Sequence, residues 1–122
     1  MTFNLLQPKN EKFTGLETFP APPDLISVVM CSDEVTAICP ITGQPDQYTI
    51  EIEYHPAEWC IESKSMKFYF QQFRNEGIFC EAFSARIAND VQRAIQAKFC
   101  RVKVTQKPRG GISIVAESLA SS

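Results

Sequence analysis

Histidine is almost missing from this chain of 122 residues: the single example, His55, precedes Pro56, and the five cysteines at 31, 39, 60, 80 and 100 form no CxxC pair. Such a supply cannot assemble a Cys/His zinc set in the usual way, and an odd cysteine count without framework spacing argues against a disulfide scaffold. Reduced thiols and no metal site are therefore expected. The sequence also has no apolar run approaching the roughly 18 residues that a membrane span needs. Its opening stretch, MTFNLLQPKNEKF, lacks the basic start, apolar centre and small-residue cleavage site of a secretion signal, so a cytoplasmic protein is expected. Positive charge is short as well: 12 Lys and Arg against 14 Asp and Glu leave a net charge of -2. That balance removes the broad basic field on which general nucleic-acid binding relies, so any nucleotide contact must be local. What is present is the composition of an ordinary globular unit, in a length that suits one core and not two.

The first 24 residues are polar and proline-rich and end in FPAPPD, which reads as an arm leading into one domain over 25–118, with a short tail over 119–122. LISVVM (25–30) is a short apolar run rich in β-branched residues. YTIEIEY (48–54) alternates Tyr48, Ile50, Ile52 and Tyr54 with Thr49, Glu51 and Glu53. Both predict strands, the second with one wet face. Met66, Phe70 and Phe73 predict a first helix over Ser63 to Arg74, broken by Glu76-Gly77. Phe83, Ile87, Val91 and Ile95 recur every four positions in 80–98 and predict a second. RVKVTQ and GISIVAE, joined by Lys107-Pro108-Arg109-Gly110, predict a closing hairpin. The order β, β, α, α, β, β fits an α+β fold in which two helices cover one face of a four-stranded antiparallel sheet. That arrangement leaves two free sheet edges, which assembly into a ring would cover.

Four stretches carry reactive or charged groups. CPITGQPD (39–46) puts Cys39 and Asp46 at the two ends of a turn stiffened by Pro40, Gly43 and Pro45. By itself it also fits a tight connection with a core cysteine and a turn-forming aspartate. ESKSMKFY (62–69) sets Lys64 and Lys67 about one helical turn apart, with Ser63 and Ser65 in the first turn. This is a seat for phosphate or a well-capped, solvated helix start. PRGGIS (108–113) lifts Arg109 on a hairpin tip beside Gly110 and Gly111. Glu81 opens the second helix, where glutamate also serves simply to complement the dipole.

Taken together, CPITGQPD, ESKSMKFY, FRNEGIFCE and PRGGIS resemble, in order and spacing, the signature segments of the short QueF-type 7-cyano-7-deazaguanine reductases, from about Leu16 to Ser113. The resemblance implies the tunnelling fold, a ring-forming ββααββ unit whose rings can stack and whose sites lie between subunits. It implies reduction of a nitrile to a primary amine in queuosine biosynthesis, with NADPH as cofactor and a small deazapurine as substrate. By this resemblance Cys39 is the nucleophile that converts the nitrile to a thioimide and Asp46 the proton donor. Ile61, Glu62, Ser63, Cys80 and Glu81 fall in the substrate pocket, with Glu81 recognising the guanine-like edge. Ser63, Lys64, Ser65, Lys67, Arg109 and Gly110 fall where NADPH is held.

One position departs from the family pattern. The residue before the recognition glutamate is usually histidine, and here it is Cys80, which would bring a second thiol toward the pocket and within reach of a reversible disulfide with Cys39. Two rival functions follow from the same segments. An amidinotransferase like the archaeal QueF-like proteins would use the same thioimide, but those relatives lack the ESKS segment present here. A non-catalytic deazapurine-binding ring protein is the other.

Overall fold

The computed structural model describes residues 15–120; the first 14 residues of the expected arm and the last two of the expected tail lie outside the described residues. The strands are β1 (Thr18–Pro20), β2 (Val28–Ile38), β3 (Pro45–His55), β4 (Trp59–Ile61), β5 (Phe99–Arg109) and β6 (Ile112–Ala120). The helices are α1 (Ser63–Gln71), continued by a 3-10 turn over Gln72–Asn75, and α2 (Cys80–Ile95). An antiparallel sheet in the order β2-β3-β5-β6 forms the body, and β1 pairs with β4 in a separate ribbon.

Alternation along β3 places Tyr48, Ile50, Ile52 and Tyr54 against the helices, all fully buried, while Thr49, Glu51 and Glu53 look the other way. α1 and α2 cover that one face with Met66, Tyr69, Phe83, Ile87, Val91 and Ile95. Each such large apolar side chain contributes about 1.5–3 kcal/mol on leaving water. Phe83 is the hub, its ring edge-on to Tyr48 at 5.1 Å and 4.8 Å from Phe73. Tyr69 donates to Asp90 Oδ2 at 2.7 Å and ties α1 to α2.

The first strand differs from expectation. It starts at Val28 rather than Leu25 and continues to Ile38 through the polar Ser32, Asp33 and Glu34. Pairing with β3 sets its extent, and a bulge between Ser32 and Val35 absorbs the polar residues. α2 stops at Ile95 because Gln96 is left-handed (φ 46°), while the Gln92 side chain brackets Ala97 with bonds of 2.8 and 3.2 Å. The closing hairpin turns at Gly110-Gly111, both at positive φ, instead of over residues 107–110, and its strands are longer than the two alternating segments. β2 and β6 are the outer strands, and Val29, Val115 and Leu119 on them are more than half exposed.

Candidate active site

β2 ends at Ile38 and the chain folds back at once. Cys39 N–H donates to Gln44 O at 2.8 Å and Gly43 N–H donates to Cys39 O at 2.9 Å, so residues 39–44 close on themselves. Gly43, at φ 73°, supplies the left-handed step that this closure requires. Pro45 then opens β3, and Asp46 pairs with Ala37 across the ladder. A thiol and a carboxylate are thus held at the two ends of one stiff loop, itself anchored at the end of a strand pair. Two further bonds fix the loop from behind: Ile38 N–H donates to Glu76 O at 2.9 Å, and Ile78 N–H donates to Ile38 O at 3.1 Å.

The surroundings of each group set its chemistry. Hydrogen bonding from the Thr42 hydroxyl, then from the Thr42 and Ile41 amides, lowers the pKa of the half-buried Cys39 thiol and favours the thiolate. Asp46 is only 5% exposed. Its Oδ1 lies 3.1 Å from Arg109 Nη1, yet the angle makes no hydrogen bond, and that oxygen has no hydrogen-bond partner among the described residues. Arg109 reaches over the loop, donating to Thr42 Oγ1 at 3.2 Å and, weakly, to Gln44 Oε1 at 3.5 Å. A buried oxygen left without a hydrogen bond costs about 1–3 kcal/mol, and native structures that keep one do so for stored strain, a catalytic role or a bound water or ion.

Two residues that the sequence reading passed over complete this end of the sheet. Tyr48, two positions past Asp46 on the same face of β3, is fully buried and donates its hydroxyl to Gln106 Oε1 on β5 at 3.3 Å. Burial, then the charge of Asp46, pushes the Tyr48 phenol up. A tyrosine in an alternating strand signals only core, which is why it was missed.

Glu81 lies exposed in the first turn of α2. Cys80 corrects an expectation. It is 1% exposed, with Sγ 3.6 Å from Val104 O and 3.9 Å from Ile114 O, and burial pushes its thiol up to about 11. The first turn of α2 packs this side chain down onto β5 and β6, so the thiol faces the core rather than an open pocket. Cys39 and Cys80 are both free thiols. His55 sits at the far end of β3, beside Glu53 and against Phe99.

The ESKS segment occupies the other end of the molecule. Ile61 is buried and its N–H donates to Tyr54 OH at 3.0 Å, near the finish of β3. Asp46 and Tyr54 are eight residues apart on an extended strand, about 26 Å. Glu62 caps α1: its Oε2 accepts from Lys64 N–H and its Oε1 from Ser65 N–H, each at 2.8 Å, and these bonds lower its pKa. The helix amides expected to seat phosphate are therefore already occupied by a carboxylate. Ser65 is buried, its hydroxyl donating to Glu62 O and accepting from Glu17 N–H. Lys64 lies over the Phe68 ring at 5.8 Å.

Cations suited to the phosphates of NADPH do remain. Ser63, Lys67, Phe70 and Arg74 line a cleft of about 300 Å³ between α1 and β2. Neither Lys67 nor Arg74 makes an ion pair among the described residues. Arg74 was missed; its signal is a cation two turns beyond Lys67. Gly110 stands exposed in the hairpin turn beside Arg109. No cluster among the described residues could hold a metal ion, and no described helix is long and apolar enough to cross a membrane.

The profile of the family described as QueF-like protein matches residues 45–121. The NADPH-dependent 7-cyano-7-deazaguanine reductase of Anaeromyxobacter sp. (strain Fw109-5) is 46% identical over 102 residues, which cover 82% of this chain and 84% of that protein. The enzyme of the same name from Syntrophus aciditrophicus (strain SB) is 45% identical over 105 residues, 84% of this chain and 75% of that protein. Among solved structures, the apo form of the archaeosine synthase QueF-Like superposes with a TM-score of 0.71 at 18% identity, covering 84% of this chain and 98% of that one, and so shares its fold. With a family profile spanning more than half its length and relatives this similar across most of theirs, the chain belongs to the QueF-like protein family.

Proposed function

We propose that this protein reduces the nitrile of 7-cyano-7-deazaguanine to a primary amine with NADPH, using Cys39 as nucleophile and Asp46 as proton donor. The observation that carries this reading is the closed 39–44 loop, which holds a thiol of lowered pKa beside a buried carboxyl oxygen without a hydrogen bond. The reductases from Anaeromyxobacter and Syntrophus described above bear that activity in their names.

A nitrile carbon accepts hydride poorly. Attack by the Cys39 thiolate forms a C–S bond and breaks one π bond of the nitrile, while the nitrogen takes a proton from Asp46, leaving a thioimide. NADPH, when bound, supplies hydride to the resulting C=N carbon. Collapse then returns the thiolate and leaves an imine, and a second hydride with a proton gives the amine. The loop holds Cys39 and Asp46 in fixed relation, which is what proximity catalysis requires. Glu81 takes the two adjacent N–H donors of the guanine-like edge. Lys64, Lys67 and Arg109, with Ser63 and Gly110, are the groups for NADPH; Ser65 acts behind them by holding Glu62.

Within one chain the ESKS end and the Cys39 end lie too far apart to meet around a small substrate. This separation supports the tunnelling-fold assembly, in which β2 of one copy pairs with β6 of the next and Cys39 meets Ile61, Glu62 and Ser63 of a neighbour. The exposed apolar residues on both outer strands support the same reading.

The test is spectrophotometric: purified protein, the nitrile and NADPH should consume two NADPH per amine formed. Consumption of the nitrile with ammonia and without NADPH oxidation would overturn the reductase reading in favour of amidine formation.

A further inference from the structure

We propose that Gln106, aimed by Tyr48, reads the keto oxygen of the substrate's six-membered ring and so makes the site specific for a guanine-like base. This rests on the reductase reading above and adds a contact that the signature segments do not contain.

Tyr48 is fully buried, and the acceptor its hydroxyl meets is Gln106 Oε1, at 3.3 Å. Were the carboxamide turned the other way, the phenolic oxygen would accept from the NH2 group and the phenolic proton would be buried with no acceptor among the described residues. The hydroxyl therefore fixes Oε1 inward. Gln106 is half-buried, and its Nε2 has no hydrogen-bond partner among the described residues, so this NH2 group is free for a ligand.

Placement links this donor to Glu81. Cys80, the residue before Glu81, sets its sulfur against Val104 O, two positions from Gln106 on β5. Gln106 and Glu81 thus flank Cys80 at the end of the sheet that also carries Cys39 and Asp46. Cys80 is turned into the core, and Arg109 is engaged with Thr42 and Asp46. The charge of Glu81 reaches the Tyr48 phenol, so the carboxamide of Gln106, bonded to that phenol, is a neutral donor on the same side of the site. A guanine-like edge presents an acceptor and two donors in a row, the keto oxygen, the ring N–H and the exocyclic amine. A carboxylate matches the two donors, and a fixed amide NH2 matches the acceptor beside them.

The experiment compares 7-cyano-7-deazaguanine with its counterpart bearing an amino group in place of the keto oxygen. KM and kcat are measured for full-chain wild type, Gln106→Leu, Gln106→Glu and Tyr48→Phe, and binding is followed separately by intact mass of the covalent adduct without NADPH. Gln106→Leu should raise KM for the keto substrate about five- to hundredfold, the effect of stranding one polar partner, with kcat much less affected. Gln106→Glu, isosteric but an acceptor, should move the preference toward the amino compound. Tyr48→Phe should weaken the keto preference without abolishing turnover. If Gln106→Leu does not fold, as judged by circular dichroism, the preference of Gln106→Glu decides alone. An unchanged keto preference in both Gln106 variants, with wild type active, would overturn this assignment and leave the reductase reading intact. A wild-type protein that neither binds nor reduces the nitrile would bring down both.

Discussion

Replacing Asp46 with asparagine should separate catalysis from stability. At 3.1 Å, the Asp46–Arg109 pair has a Coulomb attraction of about 5 kcal/mol if the effective dielectric constant is about 20. The arginine side chain is 37% exposed, however, so screening by water reduces this to about 1 kcal/mol. The cost of keeping an oxygen buried there without a hydrogen bond, about 1–3 kcal/mol, stays with the carboxamide of asparagine. Only the screened attraction is lost, so Asp46→Asn should lower stability by no more than about 1 kcal/mol, roughly 3–6 °C in Tm for a domain of this size. Turnover should fall by about 10²–10⁴, the usual worth of a positioned acid. Thermal unfolding by circular dichroism and steady-state NADPH oxidation measure the two quantities on one preparation. A loss of 3 kcal/mol or more would make Asp46 a structural keystone, and unchanged turnover would reject it as the acid; either result refutes the reasoning.

Other outcomes follow from the same geometry. Alkylation of Cys39 should reach half its limiting rate at a pH below that of an ordinary thiol, because the thiolate persists below the usual thiol pKa; Thr42→Val should move the midpoint upward. Lys67→Ala and Arg74→Ala should each weaken NADPH about tenfold or more with little effect on adduct formation, read as KM for NADPH against adduct mass. Phe83→Ala, at the hub of the ring cluster, should cost about 3–5 kcal/mol in chemical denaturation. Mixed assemblies of Cys39→Ala and Glu62→Ala chains should recover part of the wild-type rate after subunit exchange if the site is shared; assemblies that stay inactive would return the whole site to one chain.

How much of this was legible in the sequence depended on the range of the interaction. The two helices followed from apolar spacing, since Phe83, Ile87, Val91 and Ile95 must share a face whatever surrounds them. The alternation in β3 was equally local. β1 and β4 were not foreseen: three residues each give no period to detect, and they exist only because they pair. The polar second half of β2 was missed for the same reason, being held by β3 and not by its own side chains. At the site, the Cys39–Asp46 loop was readable because Pro40, Gly43 and Pro45 act on their neighbours. The closure of Arg109 onto Asp46 spans the hairpin and two strands, and Glu62 could equally have capped its helix or faced a ligand. Cys80 looked like a second pocket thiol because its position in a motif does not tell which way the first turn of α2 points.

The central claim is that Cys39 attacks the nitrile, and intact-protein mass spectrometry tests it most directly. Wild-type protein mixed with 7-cyano-7-deazaguanine in the absence of NADPH should gain the mass of one substrate per chain, Cys80→Ala should gain it equally, and Cys39→Ala should gain nothing. An adduct that survives in Cys39→Ala, or turnover that continues in that variant, would contradict the account.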